Sequence, residues 1–102
     1  MDWYKLCNRD ELAENSGHEF VLNGLIIAVF LQEGEIRAID GMCAHQGGPI
    51  AQGQLHGDCV TCPWHGWQYD VTNGCNLLTK KKMLDVFETQ WRDDELWIAL
   101  ES

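Results

Sequence analysis

The length, composition and charge of the chain set the first limits on what it can be. At 102 residues it is expected to form one domain, and 45% hydrophobic with 23% charged residues excludes a disordered chain. Sixteen acidic against seven basic side chains give a formal charge of −9, which disfavours nucleic acid and anionic lipid as ligands. Such a surface suits docking to a basic patch on a protein partner, with solubility alone as the alternative.

Nothing in the sequence predicts export or membrane insertion. Residues 1–6 lack a basic region followed by an apolar run, so no signal peptide is expected. The longest apolar run, residues 25–31, is too short to cross a bilayer. Five cysteines are an odd number with no disulfide-framework spacing. The cytoplasm is therefore the expected compartment, where clustered cysteines more often bind metals or act in redox chemistry.

The N-terminal third predicts a short helical turn followed by a hairpin. Asn8 can cap a turn over residues 8–14, and Glu11 stands three residues later, as in a capping box. Strands are predicted at residues 19–22 and 25–31, joined by Asn-Gly at positions 23 and 24, which tolerates the positive φ angles of a tight turn. The second strand is apolar on both faces, which predicts a central position in its sheet.

The rest of the framework is also predicted to be β-structure. A turn at Gly34 leads to a strand over residues 35–40, and further strands are predicted at residues 84–91 and 96–100. Leu96, Ile98 and Leu100 would share one face of the last strand. Closely spaced strands of this kind predict an all-β domain over residues 1–102, an antiparallel sandwich or small barrel.

The middle segment, about residues 41–70, has a different composition. It holds six glycines, both prolines, three of the four histidines and three of the five cysteines. Loops this rich in glycine and ligand-type side chains indicate a binding site rather than an apolar core. We therefore expect a two-loop subdomain inserted between the flanking strands.

Two pairs of metal-ligand residues stand in this segment. Cys43 and His45 form a Cys-x-His pair, and Cys62 and His65 form a Cys-x-x-His pair. Zinc would take all four side chains as one tetrahedron. A 2Fe–2S cluster would take the cysteines on one iron and the histidines on the other. Ligand identity alone leaves both metals open, although zinc fingers commonly pair cysteine with cysteine and histidine with histidine.

The two loops resemble the cluster loops of the Rieske family. The matching stretches are Cys-Ala-His-Gln-Gly-Gly-Pro at residues 43–49 and Cys-Pro-Trp-His-Gly-Trp at residues 62–67, and the flanking hairpins extend the resemblance over nearly the whole chain. The resemblance implies the Rieske fold and one 2Fe–2S cluster held by Cys43, His45, Cys62 and His65. Imidazoles in place of two thiolates make such a site less negative than an all-cysteine cluster, so its reduction potential is higher.

The resemblance also indicates a subclass. Rieske proteins of the respiratory and photosynthetic cytochrome complexes carry an additional cysteine in each loop, and those positions match Gly48 and Trp64 here. Where those proteins place a serine hydroxyl, this chain has Trp67, whereas Tyr69 matches the family's usual tyrosine or phenylalanine. Without the disulfide and the hydroxyl, the potential is expected at the low end of the Rieske range, near roughly −150 mV.

The implied function is that of a ferredoxin in a bacterial ring-hydroxylating dioxygenase system. Such a carrier takes one electron from an NAD(P)H-dependent flavoprotein reductase and passes it to a terminal oxygenase. The chain ends at Ser102, leaving no room for a mononuclear-iron domain, and it shows no acid–base pair or nucleotide motif. We therefore expect an electron-transfer component and not an enzyme. The alternatives are a small subunit of an NAD(P)H-dependent nitrite reductase and a zinc-stabilised interaction module without redox chemistry.

The remaining candidate residues have simpler interpretations. Cys59 is expected on the strand leading into the second loop, with a redox role as the alternative. A basic cluster is expected to be a solvated loop, with docking or tuning of the potential as its alternative. That cluster consists of Lys80, Lys81 and Lys82. His18 and His56 are expected at the surface.

Overall fold

The computed structural model describes residues 2–43, 47–64 and 66–100, and these ranges are built almost entirely of β-strands. The strands are β1 Asp2–Asn8, β2 Ser16–Leu22, β3 Leu25–Gln32, β4 Glu35–Asp40, β5 Gln54–His56, β6 Cys59–Thr61, β7 Gln68–Asp70, β8 Val86–Phe87, β9 Thr89–Arg92 and β10 Glu95–Leu100. Two short 3-10 helices cover Arg9–Glu11 and Ile50–Gln52. The pairings between these strands are antiparallel, so the predicted all-β antiparallel fold is confirmed.

The predicted hairpin forms one side of a four-stranded sheet in the order β2-β3-β4-β8, in which β2 is an edge strand and β3 is an inner strand. Asn23 and Gly24 join β2 to β3 with φ angles of 52° and 79°, and Glu33 and Gly34 repeat this pattern between β3 and β4. Positive φ at both central residues gives a two-residue turn whose twist matches the flanking strands. The central position predicted for residues 25–31 is therefore confirmed.

Strand β3 lies between two apolar cores, which explains why it is apolar on both faces. Ile27 and Val29 face one core, and Ala28 and Phe30 face the other. The core that contains Ile27 and Val29 also contains the three residues that were predicted to share one face of the last strand. These residues are Leu96, Ile98 and Leu100. Full burial of one large aliphatic or aromatic side chain stabilises the fold by about 1.5–3 kcal/mol, so β3 joins the two halves of the domain.

The prediction of a single strand over residues 84–91 is wrong. It is divided into β8 and β9, because β8 pairs with β4 in one sheet whereas β9 pairs with β10 in another. Glu88 stands between them, and its carbonyl oxygen accepts a hydrogen bond from the Ala99 N–H at 3.0 Å. Leu84 is buried ahead of β8 rather than paired within a strand.

The N-terminal turn is shorter than predicted. The Asn8 N–H donates to the Glu11 carboxylate at 2.6 Å, but the 3-10 helix ends at Glu11 and the chain becomes extended at Leu12. The following segment is fixed by His18, whose Nε2 accepts a hydrogen bond from the Ala13 N–H at 2.8 Å. His18 is half-buried, which corrects the expectation of a surface residue, whereas His56 is exposed as predicted.

A third, smaller sheet in the order β5-β6-β7 carries the glycine-rich segment. Val60 of β6 and Tyr69 of β7 are fully buried and pack into the core shared with Phe30 of β3. This contact fixes the small sheet on the larger one. Within the described residues, no helix has the length and apolar character needed to cross a membrane.

Candidate metal centre

The first candidate loop begins where β4 has ended and closes on itself through its backbone. The Cys43 N–H donates to the Gly48 carbonyl at 2.8 Å, and the Gly47 N–H donates back to the Cys43 carbonyl at 2.8 Å. Gly47 adopts a φ of 70°, a conformation that costs a residue with a side chain about 1–2 kcal/mol. The sequence Gly47-Gly48 therefore lets the loop return tightly past Cys43.

The second loop follows β6 directly and is closed in a similar way. The Cys62 N–H donates to the Trp67 carbonyl at 2.7 Å. Inside this turn the Trp64 N–H points at the Cys62 sulfur, with a nitrogen–sulfur distance of 3.4 Å. Gly66 provides the positive φ, 72°, that reverses the chain toward β7. A backbone N–H directed at a cysteine sulfur stabilises negative charge on that sulfur.

The two loops touch at Gly48 and bring the two cysteines together. A Cβ on Gly48 would lie 2.8 Å from the Cys62 sulfur and 3.0 Å from the Trp64 ring, so only glycine fits there. Burial raises the pKa of the Cys62 thiol; the Trp64 N–H opposes this shift and the neighbouring Cys43 thiol adds to it. The Cys62 thiol is therefore protonated without metal, and binding of iron to it would release its proton.

A tyrosine hydroxyl lies against the other sulfur. The Tyr69 hydroxyl oxygen is 3.1 Å from the Cys43 sulfur, and both side chains are buried. A phenolic O–H is the better donor of this pair, so it directs a proton toward the sulfur when that sulfur is a thiolate. Hydrogen bonds to cluster sulfurs are among the factors that set the reduction potential of an iron–sulfur protein.

The four predicted ligands divide into two that the structure places and two that it does not describe. Cys43 and Cys62 lie together, whereas His45 and His65 lie outside the described residues. Across residues 2–43, 47–64 and 66–100, no group of three or more histidine, cysteine or acidic side chains is arranged to hold a metal ion. Two facing sulfurs with hydrogen-bond donors aimed at them nevertheless fit two thiolates on one iron.

The other cysteines are separate from this pair. Cys59 lies on β6 as predicted, opposite Asp70 of β7. Burial first and the Asp70 charge second raise its pKa, which is the opposite of what a reactive thiolate requires. Cys7 is buried in the core formed with β10, and Cys75 is half-buried. None of the five cysteines is in a disulfide.

Comparison with protein families identifies the class of the domain. The model of the Rieske [2Fe-2S] domain family matches residues 2–88. The chain belongs to this family, and the predicted Rieske identity and single 2Fe–2S cofactor are confirmed. The chain is accordingly a Rieske-type 2Fe–2S domain. The family match favours the iron–sulfur cluster over the zinc alternative.

The similar curated proteins are much longer than this chain. Methylxanthine N1-demethylase NdmA of Pseudomonas putida is 28% identical over 98% of this chain and 32% of its own length. The oxygenase component of 3-ketosteroid-9-alpha-monooxygenase of Mycobacterium tuberculosis is 31% identical over 74% of this chain and 20% of its own. The chain thus spans about a third or less of these relatives.

The similar solved structures include chains that this chain covers almost entirely. The ferredoxin of carbazole 1,9a-dioxygenase from Nocardioides aromaticivorans has a TM-score of 0.89 at 19% identity, covering 99% of this chain and 100% of that one. A complex of oxygenase and ferredoxin in carbazole 1,9a-dioxygenase has a TM-score of 0.84 at 25% identity, covering 95% of this chain and 92% of the matched chain. An NADH-dependent nitrite reductase small subunit from Mycobacterium tuberculosis, described as putative, has a TM-score of 0.89 at 18% identity. The match covers 99% of this chain and 96% of the matched chain.

Proposed function

We propose that this chain is a one-electron carrier that a flavoprotein reductase reduces at the expense of NAD(P)H and that a terminal oxygenase oxidises. The observation that carries the proposal is the meeting of the two cysteine loops at Gly48, with donors from Trp64 and Tyr69 directed at the sulfurs. When bound, a 2Fe–2S cluster supplies reversible one-electron chemistry there.

The proposed ligands are Cys43 and Cys62 on one iron and His45 and His65 on the other. The side chains around the sulfur pair support a buried redox centre, because Cys43, Cys62 and Tyr69 are all less than 5% exposed. Trp67 is partly buried and packs against the same core, which limits the access of water. A dry environment of this kind contributes to the potential of the centre.

The oxygenase partner is supported by the carbazole dioxygenase structures. One of them is a complex of reduced oxygenase with oxidised ferredoxin, and its matching chain is similar to this one over most of both lengths. The reductase partner follows from the electron-carrier role, since a carrier without catalytic groups needs an external donor. We propose accordingly that the chain is the electron-transfer component of a multicomponent oxidoreductase system and is not itself an enzyme.

A second candidate is the small subunit of a nitrite reductase, because one such protein, described as putative, shares the fold with a TM-score of 0.89. The pairing of each cysteine with a nearby histidine, Cys43 with His45 and Cys62 with His65, favours the carrier. Stable co-purification with a sirohaem-containing large subunit would favour the nitrite reductase. Transient contacts with a flavoprotein and an oxygenase are expected for the carrier.

The decisive experiment is electron paramagnetic resonance of the purified protein after dithionite reduction. A rhombic signal with an average g value below that of all-cysteine 2Fe–2S proteins is expected. Cys62→Ser should abolish this signal, whereas Cys59→Ser, three residues earlier on β6, should keep it. A colourless protein containing zinc, or an unchanged spectrum in Cys62→Ser, would contradict the proposal.

A further inference from the structure

The charges of this acidic protein are unevenly distributed along the chain. Between Gly41 and Leu84 the only acidic side chains are Asp58 and Asp70, and the only basic ones are three consecutive lysines. The other 14 of the 16 acidic side chains lie in the remaining framework, together with four of the seven basic ones. The part of the chain that carries the cluster loops is therefore not acidic, although the whole protein is.

The lysines stand on a segment that is held in place by one buried asparagine. The Asn76 side-chain oxygen accepts hydrogen bonds from the N–H groups of Leu78 at 2.8 Å and Thr79 at 3.1 Å. Its backbone carbonyl accepts from the Lys80 N–H at 2.8 Å, and its own N–H donates to the Lys81 carbonyl at 2.9 Å. Four hydrogen bonds thus fix a segment that the sequence predicted to be a solvated loop.

The two ends of this segment lie against the two cluster loops. Leu78 lines one groove together with Gly66 of the second loop. Met83 lines another groove together with Met42 and Cys43 of the first loop. The three lysines therefore stand in the chain between a residue that contacts the groove of Gly66 and a residue that contacts the groove of Cys43.

This surface combines large exposed apolar side chains with basic ones. Leu78 is 90% exposed, Met42 50% and Trp64 49%. Lys80 and Lys81 are exposed, and neither takes part in the three ion pairs formed among the described residues. Met42 lies beside Gly47 and Trp64 beside Gly48, so both exposed side chains flank the first loop. Exposed apolar side chains that include a tryptophan and are bordered by charges are typical of a protein-binding site.

We infer that Lys80 and Lys81 dock the protein onto a redox partner whose electron-transfer site is apolar at its centre and acidic at its rim. The inference rests on the proposed carrier function and names the chemistry of the partner. It reverses the expectation from net charge, which favours a basic partner. At about 0.1 M salt, charges more than roughly 10 Å from the contact are screened, which reduces the effect of carboxylates elsewhere in the framework. Asp40 lines the groove of Met42 and Met83, and Lys82 partly balances its charge, so Lys80 and Lys81 give the surface its basic character.

The third lysine plays a smaller part. Lys82 lies close enough to Asp40 to lower the pKa of that carboxyl, partly offsetting the rise caused by burial. Lys82 also lines a groove with Asp85 and Glu88, so its charge is partly balanced. The test therefore changes Lys80 and Lys81 only.

The experiment compares two double variants that lose the same charge. The docking variant is Lys80→Gln with Lys81→Gln, and the control is Lys5→Gln with Arg9→Gln. Both control residues form ion pairs in the framework and line neither loop groove. The reduced holoprotein is mixed by stopped flow with ferricyanide, an anion, and with hexaammineruthenium(III), a cation. In each reaction one electron leaves the protein and reduces the metal complex, and no proton is transferred.

The docking variant should react about fourfold more slowly with ferricyanide at about 0.1 M salt, and faster by a similar factor with the ruthenium cation. Opposite changes with the two oxidants exclude an altered driving force, which would move both rates in one direction. The control should change neither rate by more than about 1.3-fold, because its charges are screened. Equal rates in the wild type and the docking variant would overturn the inference while leaving the carrier function intact.

A second readout does not depend on the redox centre. Zero-length carbodiimide crosslinking of a glutamate hexapeptide to the wild-type protein should yield adducts mainly on Lys80 and Lys81. Adducts mainly on Lys5 would overturn the inference. If the protein carries no reducible cluster, the crosslinking still tests the acidic-partner surface, so failure of the carrier proposal and failure of this inference are distinguishable.

Discussion

Replacing Tyr69 with phenylalanine tests whether the hydroxyl beside Cys43 tunes the redox centre. The substitution removes one oxygen atom and keeps the ring that fills the core. The oxygen–sulfur distance of 3.1 Å is that of a hydrogen bond to sulfur, and the pair is buried. A hydrogen bond to a charged group contributes about 1.5–3 kcal/mol. The potential depends only on the difference in the free energy of this hydrogen bond between the oxidised and reduced states.

If that difference is about 1 kcal/mol, the potential of Tyr69→Phe falls by about 40 mV, since 59 mV corresponds to a tenfold change for one electron. The direction follows because the reduced centre carries more negative charge, which the hydroxyl stabilises. Protein-film voltammetry measures the shift. Tyr4→Phe is the matched control, because Tyr4 packs against the other core. An unchanged or raised potential in Tyr69→Phe would refute the reasoning.

Three further predictions concern stability and loop contact. Gly74→Ala should lower the free energy of unfolding by about 3 kcal/mol in urea titrations, because φ is 77° and the new Cβ overlaps the Leu84 carbonyl. The control is Gly24→Ala, where φ is 79° and no atom lies within 4 Å of the new Cβ. It should lower the free energy of unfolding by only about 1 kcal/mol. Equal losses would contradict this account. Burial raises the pKa of Cys7 to about 11 from 9.0. The unfolded chain therefore loses this proton first, and stability should fall between pH 9 and 11 by up to about 1.4 kcal/mol per pH unit, a slope that Cys7→Ala should lack. Finally, Gly48→Ala should lower the free energy of unfolding by about 1–3 kcal/mol, because its Cβ would lie 2.8 Å from the Cys62 sulfur. An unchanged urea midpoint would refute the contact between the two loops.

The hairpins of the framework could be predicted from local sequence, and the division of the C-terminal strand could not. Asn23-Gly24 determines its turn through backbone conformation, so the surrounding strands follow from a few neighbouring residues. The break at Glu88 depends on which sheet each half joins, and β4 and β10 are distant in sequence from one another. Residues 84–91 have strand-forming composition throughout, so no local signal marks that break.

The candidate site shows the same division between local and long-range information. The sequence identified Cys43 and Cys62, and the structure brings them together. His45 and His65 stay predictions. The hydrogen bond from Tyr69 to Cys43 spans 26 residues of chain, so spacing alone does not reveal it. Asn76 carries no recognisable signal in the sequence, because its role depends on burial beside β7.

Strand β7 connects the redox centre to the proposed docking surface. The Tyr69 hydroxyl contacts the Cys43 sulfur, and the backbone of Tyr69 forms a bridge with Asn76, which holds the lysine segment. The Leu77 N–H adds a hydrogen bond of 3.0 Å to the Gln68 carbonyl on the same strand. Because rigid, hydrogen-bonded elements can transmit a small displacement, a partner that moves residues 77–83 acts on the strand that positions the sulfur donor. The proposed docking surface and the hydroxyl donor to Cys43 therefore share one short strand.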